Sequence, residues 1–212
     1  SGPIDAIFVA VGGGGLLAGV LSYVKYLRPD IKVIGVESED SACLKAALDA
    51  GERVVLDQVG VFAEGVAVAQ VGEVPFSIVR DLVDDVITVT VDEMCAAVKD
   101  IFEDTRAVPE TSGALSLAGL KKYVQQTGVQ GQTLMCINCG ANINFERLQH
   151  IAERTSLGEQ REAILAVTIA EKPGSFKKFC RTLGKRMVTE FSYRYADATE
   201  AHIFVGVQIK PG

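Results

Sequence analysis

Residues 12–15 are four consecutive glycines, Gly12, Gly13, Gly14 and Gly15, set between an apolar run at 7–11 and an apolar segment at 16–27. A strand that empties through bare backbone into a helix leaves several N–H groups without an intrahelical partner, all pointing one way. The chemistry offered by such a seat is the binding of an anion, above all a phosphate. Two other turns of small, polar residues are suited to the same ligand. One is Asn138, Cys139, Gly140, Ala141 and Asn142, after what reads as a buried strand, and the other is Pro109, Glu110, Thr111, Ser112 and Gly113, ahead of a helical pattern. In a parallel sheet the glycine loop and the 138–142 turn both leave from C-terminal strand ends, the edge where ligands bind. Three such places on one rim would frame a flat cofactor with a phosphate tail.

The same residues admit other chemistry. Gly13, Gly15 and Ala18 satisfy GxGxxA and Glu37 closes the next strand, so the dinucleotide fingerprint of an NAD(P)-dependent Rossmann oxidoreductase is formally met. A tight turn without any ligand is the bland alternative. Cys136 and Cys139 make a CxxC, but zinc needs two further ligands, and the two histidines, His150 and His202, lie far apart in sequence. No metal site is expected, and a redox pair stays open. The five cysteines are an odd set without framework spacing, which reads as reduced thiols in a cytoplasmic protein.

Elements that could position these groups follow from periodicity. Apolar runs at 4–11, 32–36, 86–91 and 133–137 read as strands, and patterns at 16–27, 41–50, 76–82, 92–104, 113–124 and 144–153 as helices. Thr90 and Glu93 have the spacing of a capping box. Strands apolar throughout and separated by helices imply an α/β fold with a parallel sheet covered on both faces. At residues 155–160 the polar stretch TSLGEQ suits a linker. Beyond it come the alternating Leu165, Val167 and Ile169, a turn at Pro173 and Gly174, and a helix with Phe176, Phe179, Cys180 and Leu183 on one face. Two more alternating strands follow, Phe191, Tyr193 and Tyr195, then Ile203, Val205, Val207 and Ile209. The organisation expected is two domains, residues 1–156 and residues 161–212, the second a truncated α+β module. Only three residues precede a strand that should lie mid-sheet, so a fragment of a longer chain is expected.

With 48% hydrophobic and 23% charged residues the chain can bury a core. A net charge of −6 without any Lys/Arg cluster argues against nucleic acid or an anionic membrane as partner. Residues 6–24 carry no charge, yet four glycines at the centre make a poor spanning helix, and strand, loop and helix explain the same residues.

In order along the chain, VGGGGLLAG, VESEDSACLKAAL, FAEGVAV, DDVITVTVDE, VPETSGALSLAGLKKY and NCGANINF resemble the C-terminal part of the catalytic domain of the biosynthetic threonine dehydratases. These are pyridoxal phosphate enzymes of fold type II, the class of serine racemase and the tryptophan synthase β chain. LGEQREAILAVTI and KPGSF resemble the opening of their ACT-like regulatory domain. The resemblance implies pyridoxal 5'-phosphate as cofactor, cradled by Gly12, Gly13, Gly14, Gly15 and Leu16. It places Cys139 beside the pyridine nitrogen, where a neutral thiol makes the ring a milder electron sink than a carboxylate would. A small Cys packed in a tight turn is the plain alternative. The resemblance further makes Glu64 an acid facing the substrate and Glu110 one near the cofactor ring; either could be a solvated loop carboxylate. Glu37 corresponds to a cation ligand of serine racemase, but Cys43 stands where that relative has its second carboxylate.

The implied reaction is deamination of L-threonine, with L-serine as a rival, to 2-oxobutanoate and ammonia at the head of isoleucine synthesis. Feedback by isoleucine or valine, a homotetramer and a cytoplasmic location come with it. A non-catalytic amino-acid-sensing module is the alternative from another class. The lysine to which the family joins its cofactor lies in a segment with no counterpart here. Ser175, Phe176 and Lys177 imitate its first letters at the start of a helix, where Lys177 should be solvated, so this chain alone is expected to be inactive. A carboxylate at position 14 is expected to sit against the phosphate.

Overall fold

The computed structural model describes residues 3–158, 162–195 and 199–208. Two compact units divide the chain, Ser1–Ala152 and Glu153–Gly212. In the first, β1 (Ala6–Ala10), β2 (Lys32–Ser38), β3 (Asp85–Val89) and β4 (Leu134–Cys136) form a parallel sheet in the order β3-β2-β1-β4. Phe8 pairs with Ile34 on one side and with Cys136 on the other, so β1 is interior, as expected. Its five residues are all buried, which is why the run reads as apolar on both faces.

Helices cover both faces: α1 (Gly15–Leu27), α2 (Cys43–Ala50), α3 (Glu73–Leu82), α4 (Val91–Thr105), α5 (Thr111–Thr127) and α6 (Phe145–Gly158). Phe8, Ile34 and Val36 pack with α4 and α5 residues such as Met94 and Leu115. Val9, Val11 and Val33 pack with Leu17 and Leu21 of α1, Leu44 of α2 and Phe76 of α3 on the other face. The alternation of side chains along each strand thus feeds two separate cores.

Several boundaries differ from the sequence expectation for local reasons. The third strand stops at Val89 because Thr90 caps α4: Glu93 N donates to Thr90 Oγ1 at 3.1 Å, and Thr90 N donates to Glu93 Oε2 at 2.7 Å. The third helix begins at Glu73, three residues earlier than expected, since Pro75 falls in its first turn, where a missing N–H costs nothing. The 138–142 turn does not follow a buried strand. Among the described residues β4 is paired only with β1, and Met135 is 44% exposed.

The expected linker at 155–160 is also corrected. Helix α6 runs on to Gly158, and Ile151 and Thr155, four residues apart on one helical face, are both buried. Glu159 and Gln160 lie outside the described residues. In the second unit β5 (Glu162–Ala170), α7 (Ser175–Leu183), β6 (Val188–Tyr195) and β7 (Glu200–Gln208) build an antiparallel sheet in the order β5-β7-β6. Phe179, Ile203, Val205 and Val207 form its core with Val167, Ile169 and Leu183 beside them. Cys180, expected on the apolar face of α7, is exposed. Lys177 is exposed as expected, and Ile209 is outside the described residues.

Candidate functional site

Gly12–Gly15 join β1 to α1 on the C-terminal edge of the sheet, and the four glycines have different work. Gly14 is the N-cap of α1 at φ 85°, a left-handed conformation that only glycine adopts freely. A Cβ on it would lie 3.0 Å from both Pro75 Cβ and Val71 Cγ2. A Cβ on Gly12 would meet Val66 Cα at 3.0 Å. Gly13 and Gly15 face open space instead, with no atom within 4 Å of an added Cβ. The loop is therefore packed on two glycines and bare on the alternate two.

Helix α1 has no side-chain cap and no acidic residue in its first turn. The first intrahelical acceptor is Gly14 O, taken by Ala18 N at 2.9 Å, so the N–H groups of Gly15 and Leu16 precede any helical partner. Leu16 itself is 45% exposed, consistent with a residue that offers only its backbone. Gly72 N donates to Gly13 O at 3.0 Å and Cys43 Sγ to Gly12 O at 3.7 Å, which ties down the carbonyl side of the loop while its N–H side stays free.

The other two turns lock together. Glu110 N donates to Gly140 O at 3.1 Å, and Cys139 N to Gly113 O at 3.4 Å. A Cβ at Gly113 would sit 2.5 Å from the backbone Gly140 O, which leaves no room for a side chain, and one at Gly140, at φ 140°, would have to displace the Glu110 carboxylate. The structure thus brings Glu110 and Cys139 side by side. Burial first, and then the Glu110 charge, push the Cys139 thiol up, so it stays neutral near pH 7. Cys136 is also raised by burial, and both cysteines are free. Ser116 Oγ anchors the same turn on Ile137 O at 2.6 Å.

A short 3-10 turn, Glu64–Val66, links the glycine loop to this pair. Val66 backs Gly12, while a Cβ on Gly65 would meet Ser112 Oγ at 2.5 Å and Glu110 Oε1 at 3.4 Å. Ser112 Oγ, a polar atom beside Glu110, is buried without a hydrogen-bond partner among the described residues. Glu64 is turned outward: its carboxylate is 2.9 Å from Arg147 Nη2 and its side chain is 73% exposed. Sequence reasoning missed the residues that back these turns, Val71, Pro75, Phe62 and Arg147, because their partners lie far away in the chain. The nearest signal is the spacing of Gly72 and Pro75, which fall at the N-cap and in the first turn of α3.

Glu37 is the site of a correction. It is fully buried, and its two carboxylate oxygens accept the N–H groups of Leu44 and Lys45, each at 2.8 Å. It caps α2 from the preceding strand, in place of Ala42, which has no side chain to do so. A ribose diol cannot reach it, so the dinucleotide reading loses its acidic partner and is not supported. Burial pushes the Glu37 carboxyl up to about 7 despite these two bonds.

Residues 1–140 match the family model of the pyridoxal-phosphate dependent enzymes, and residues 153–212 that of the C-terminal regulatory domain of threonine dehydratase. The chain is 59% identical, over 99% of its length and 41% of the relative's, to the biosynthetic L-threonine dehydratase of Salmonella typhimurium. It is 48% identical to the chloroplastic biosynthetic threonine dehydratase of Arabidopsis thaliana, over 98% of this chain and 35% of that one. The chain therefore spans about two fifths of the length of the bacterial relative. Among solved structures, the processed form of threonine deaminase isoform 2 from Solanum lycopersicum superimposes with a TM-score of 0.70 at 40% identity, over 71% of this chain and 44% of that one. Serine racemase from Dictyostelium discoideum does so with a TM-score of 0.60 at 31% identity, over 68% and 46%.

Proposed function

This chain belongs to the pyridoxal-phosphate dependent enzyme family, and from that premise we propose that the full-length protein is an L-threonine ammonia-lyase. It releases 2-oxobutanoate and ammonia at the entry to isoleucine synthesis. The observation that carries the reading is the glycine loop, bare at Gly13 and Gly15, opening on an uncapped helix in a chain whose second unit matches a threonine dehydratase regulatory domain.

The residues present fit the cofactor. Gly12, Gly13, Gly14, Gly15 and Leu16 would hold its phosphate, since Cβ atoms at Gly13 and Gly15 would fill the open space and the free N–H groups supply the donors. When bound, pyridoxal phosphate supplies an electron-withdrawing ring that stabilises negative charge at the substrate Cα. Cys139, neutral beside Glu110, would offer the ring nitrogen a partner that neither adds nor removes a full charge. That suits loss of the β hydroxyl better than amino-group transfer. Glu110 would be the carboxylate next to the ring in this reading, and Glu64, held by its ion pair with Arg147, the acid on the substrate side.

Discrimination from L-serine rests on one methyl group, which a pocket converts into about 1–3 kcal/mol. The second unit receives isoleucine or valine, the protein assembles as a homotetramer, and it works in the cytoplasm. Among the described residues no helix is long and apolar enough to cross a membrane. Incubating the full-length protein and pyridoxal phosphate with L-threonine tests the reading: 2-oxobutanoate and ammonia accumulate in equal amounts, and isoleucine slows both. Cofactor binding without keto acid from threonine or serine would leave only the amino-acid-sensing alternative.

A further inference from the structure

The carbonyl of Phe62 is a meeting point of two helices. Thr111 Oγ1, at the start of α5, donates to it at 3.1 Å, and Arg147 Nη1, in the first turn of α6, at 2.9 Å. The same guanidinium lies 5.6 Å from the centre of the Phe62 ring and 2.9 Å from Glu64 Oε1. His150, further along α6, tilts against that ring at 5.8 Å. A planar fork can stack, donate to a carbonyl and pair with a carboxylate at once, whereas an ammonium cannot stack in the same way.

Beyond Phe62 the chain has little slack. Ala63 and Val66 are 2% and 6% exposed, and Val66 N bonds back to Ala63 O at 2.9 Å. Gly65 is pressed on Ser112, and Val66 on Gly12. A displacement of Phe62 is therefore passed through one tight turn to the backbone of the phosphate seat, because close-packed atoms transmit strain instead of absorbing it. In the Arg147 to Glu64 pair the Glu64 carboxylate is largely exposed, so solvent screens the pair and it contributes little by itself. The bond to Phe62 O and the stack on its ring are what fix the loop.

Resting on the cofactor reading above, we infer that Arg147 is a positioning residue: by clamping Phe62 and Glu64 it sets the 62–66 loop, and that loop sets Gly12 in the phosphate seat. Among the described residues its side chain meets Phe62 and Glu64, so the effect of its guanidinium reaches the cofactor through the loop.

The test uses the full-length protein with pyridoxal phosphate and three variants. Arg147→Met keeps the stem but removes the fork, Arg147→Lys keeps the charge, and Thr111→Val removes the second donor to the same carbonyl. The readouts are the dissociation constant of pyridoxal phosphate by equilibrium dialysis and the phosphorus-31 resonance of the bound cofactor. Losing a charged hydrogen bond at this anchor should weaken cofactor binding about tenfold in Arg147→Met and shift the phosphorus signal. Arg147→Lys should recover part of the loss, and Thr111→Val should move both readouts the same way by less. If circular dichroism shows Arg147→Met unfolded, the other two variants decide. A dissociation constant and resonance equal to wild type in every folded variant overturn the inference even where the melting temperature falls, since a contact serving stability alone lowers only the latter. Failure of the wild type to retain pyridoxal phosphate would sink the functional reading and this inference together, and shows in the unmutated protein.

Discussion

Gly14 and Gly15 are neighbours of one residue type, yet a side chain would meet different surroundings at each. At Gly14 it would strike Val71 and Pro75 and force a left-handed φ on an L-residue, whereas at Gly15 it would enter open space at the helix N-terminus. The expectation that a carboxylate at position 14 sits against the phosphate is thereby re-aimed. Gly14→Ala should cost roughly 1–2 kcal/mol of stability in denaturant titration. Gly15→Asp should leave the unfolding midpoint nearly unchanged while full-length protein loses pyridoxal phosphate in dialysis. Retention of cofactor in Gly15→Asp would remove the loop from the site.

Glu37 makes a second residue-level claim, about pH. Its folded pKa, about 7, lies above its ordinary value of 4.5 because burial disfavours the charge. Below 4.5 it is protonated in both states. Between 4.5 and 7 the unfolded chain ionises first, so folding stability falls as pH rises, and above 7 the loss levels off. At 1.36 kcal/mol per pKa unit the full loss is on the order of 3 kcal/mol. Urea titrations at pH 4.5 and pH 7.5 should show that decline, and Glu37→Gln, which cannot ionise, should lack it. Parallel pH profiles for the two proteins would show that Glu37 does not titrate as described.

At the scale of elements, close approach does what periodicity cannot express. Helix α5 touches β2 at Gly119, where an added Cβ would lie 2.4 Å from Val36 Cγ2 and 2.6 Å from its Cγ1. Val36 is fully buried and stiff at χ1, so it cannot step aside. Gly119→Ala should therefore destabilise the first unit by about 1–3 kcal/mol, read from the shift in denaturation midpoint. An unchanged midpoint would mean that α5 has room to move off the sheet. The same contact bears on function, because α5 begins with Thr111 and Ser112 and has Glu110 as its N-cap. Lifting the helix would disturb the Glu110 and Gly140 bond.

For the molecule as a whole, each unit has its own core, and the second is small. Four buried apolar side chains, Phe179, Ile203, Val205 and Val207, form its centre. Phe179→Ala removes the large ring buried in that core and should cost about 3–5 kcal/mol, enough to melt a unit of this size. In full-length protein, calorimetry should show the loss of one transition while the pyridoxal phosphate absorbance persists; under the proposed function, basal threonine turnover would persist too and the isoleucine response would disappear. Loss of cofactor in the same variant would mean that the first unit does not stand without the second.

The sequence by itself determined the class of the fold, the order of strands and helices, and the seat of the glycine loop. Each of these is written in local signals: an apolar run buried on both faces, the Thr90 and Glu93 box, four residues with no Cβ. It also carried the family resemblance from residue 11 to residue 176. Tertiary structure alone decided which glycines of the loop are packed and which face open space, that Glu37 serves α2, that Glu64 is paired with Arg147, and that α6 runs through the stretch read as a linker. Most of these depend on contacts that spacing does not announce, some between residues tens of positions apart, such as Phe62 with Arg147 or Gly113 with Gly140, and one, Glu37 with Leu44 and Lys45, across a turn. Spacing along a chain cannot encode such contacts, because many packings share one pattern and only the filled volume selects among them.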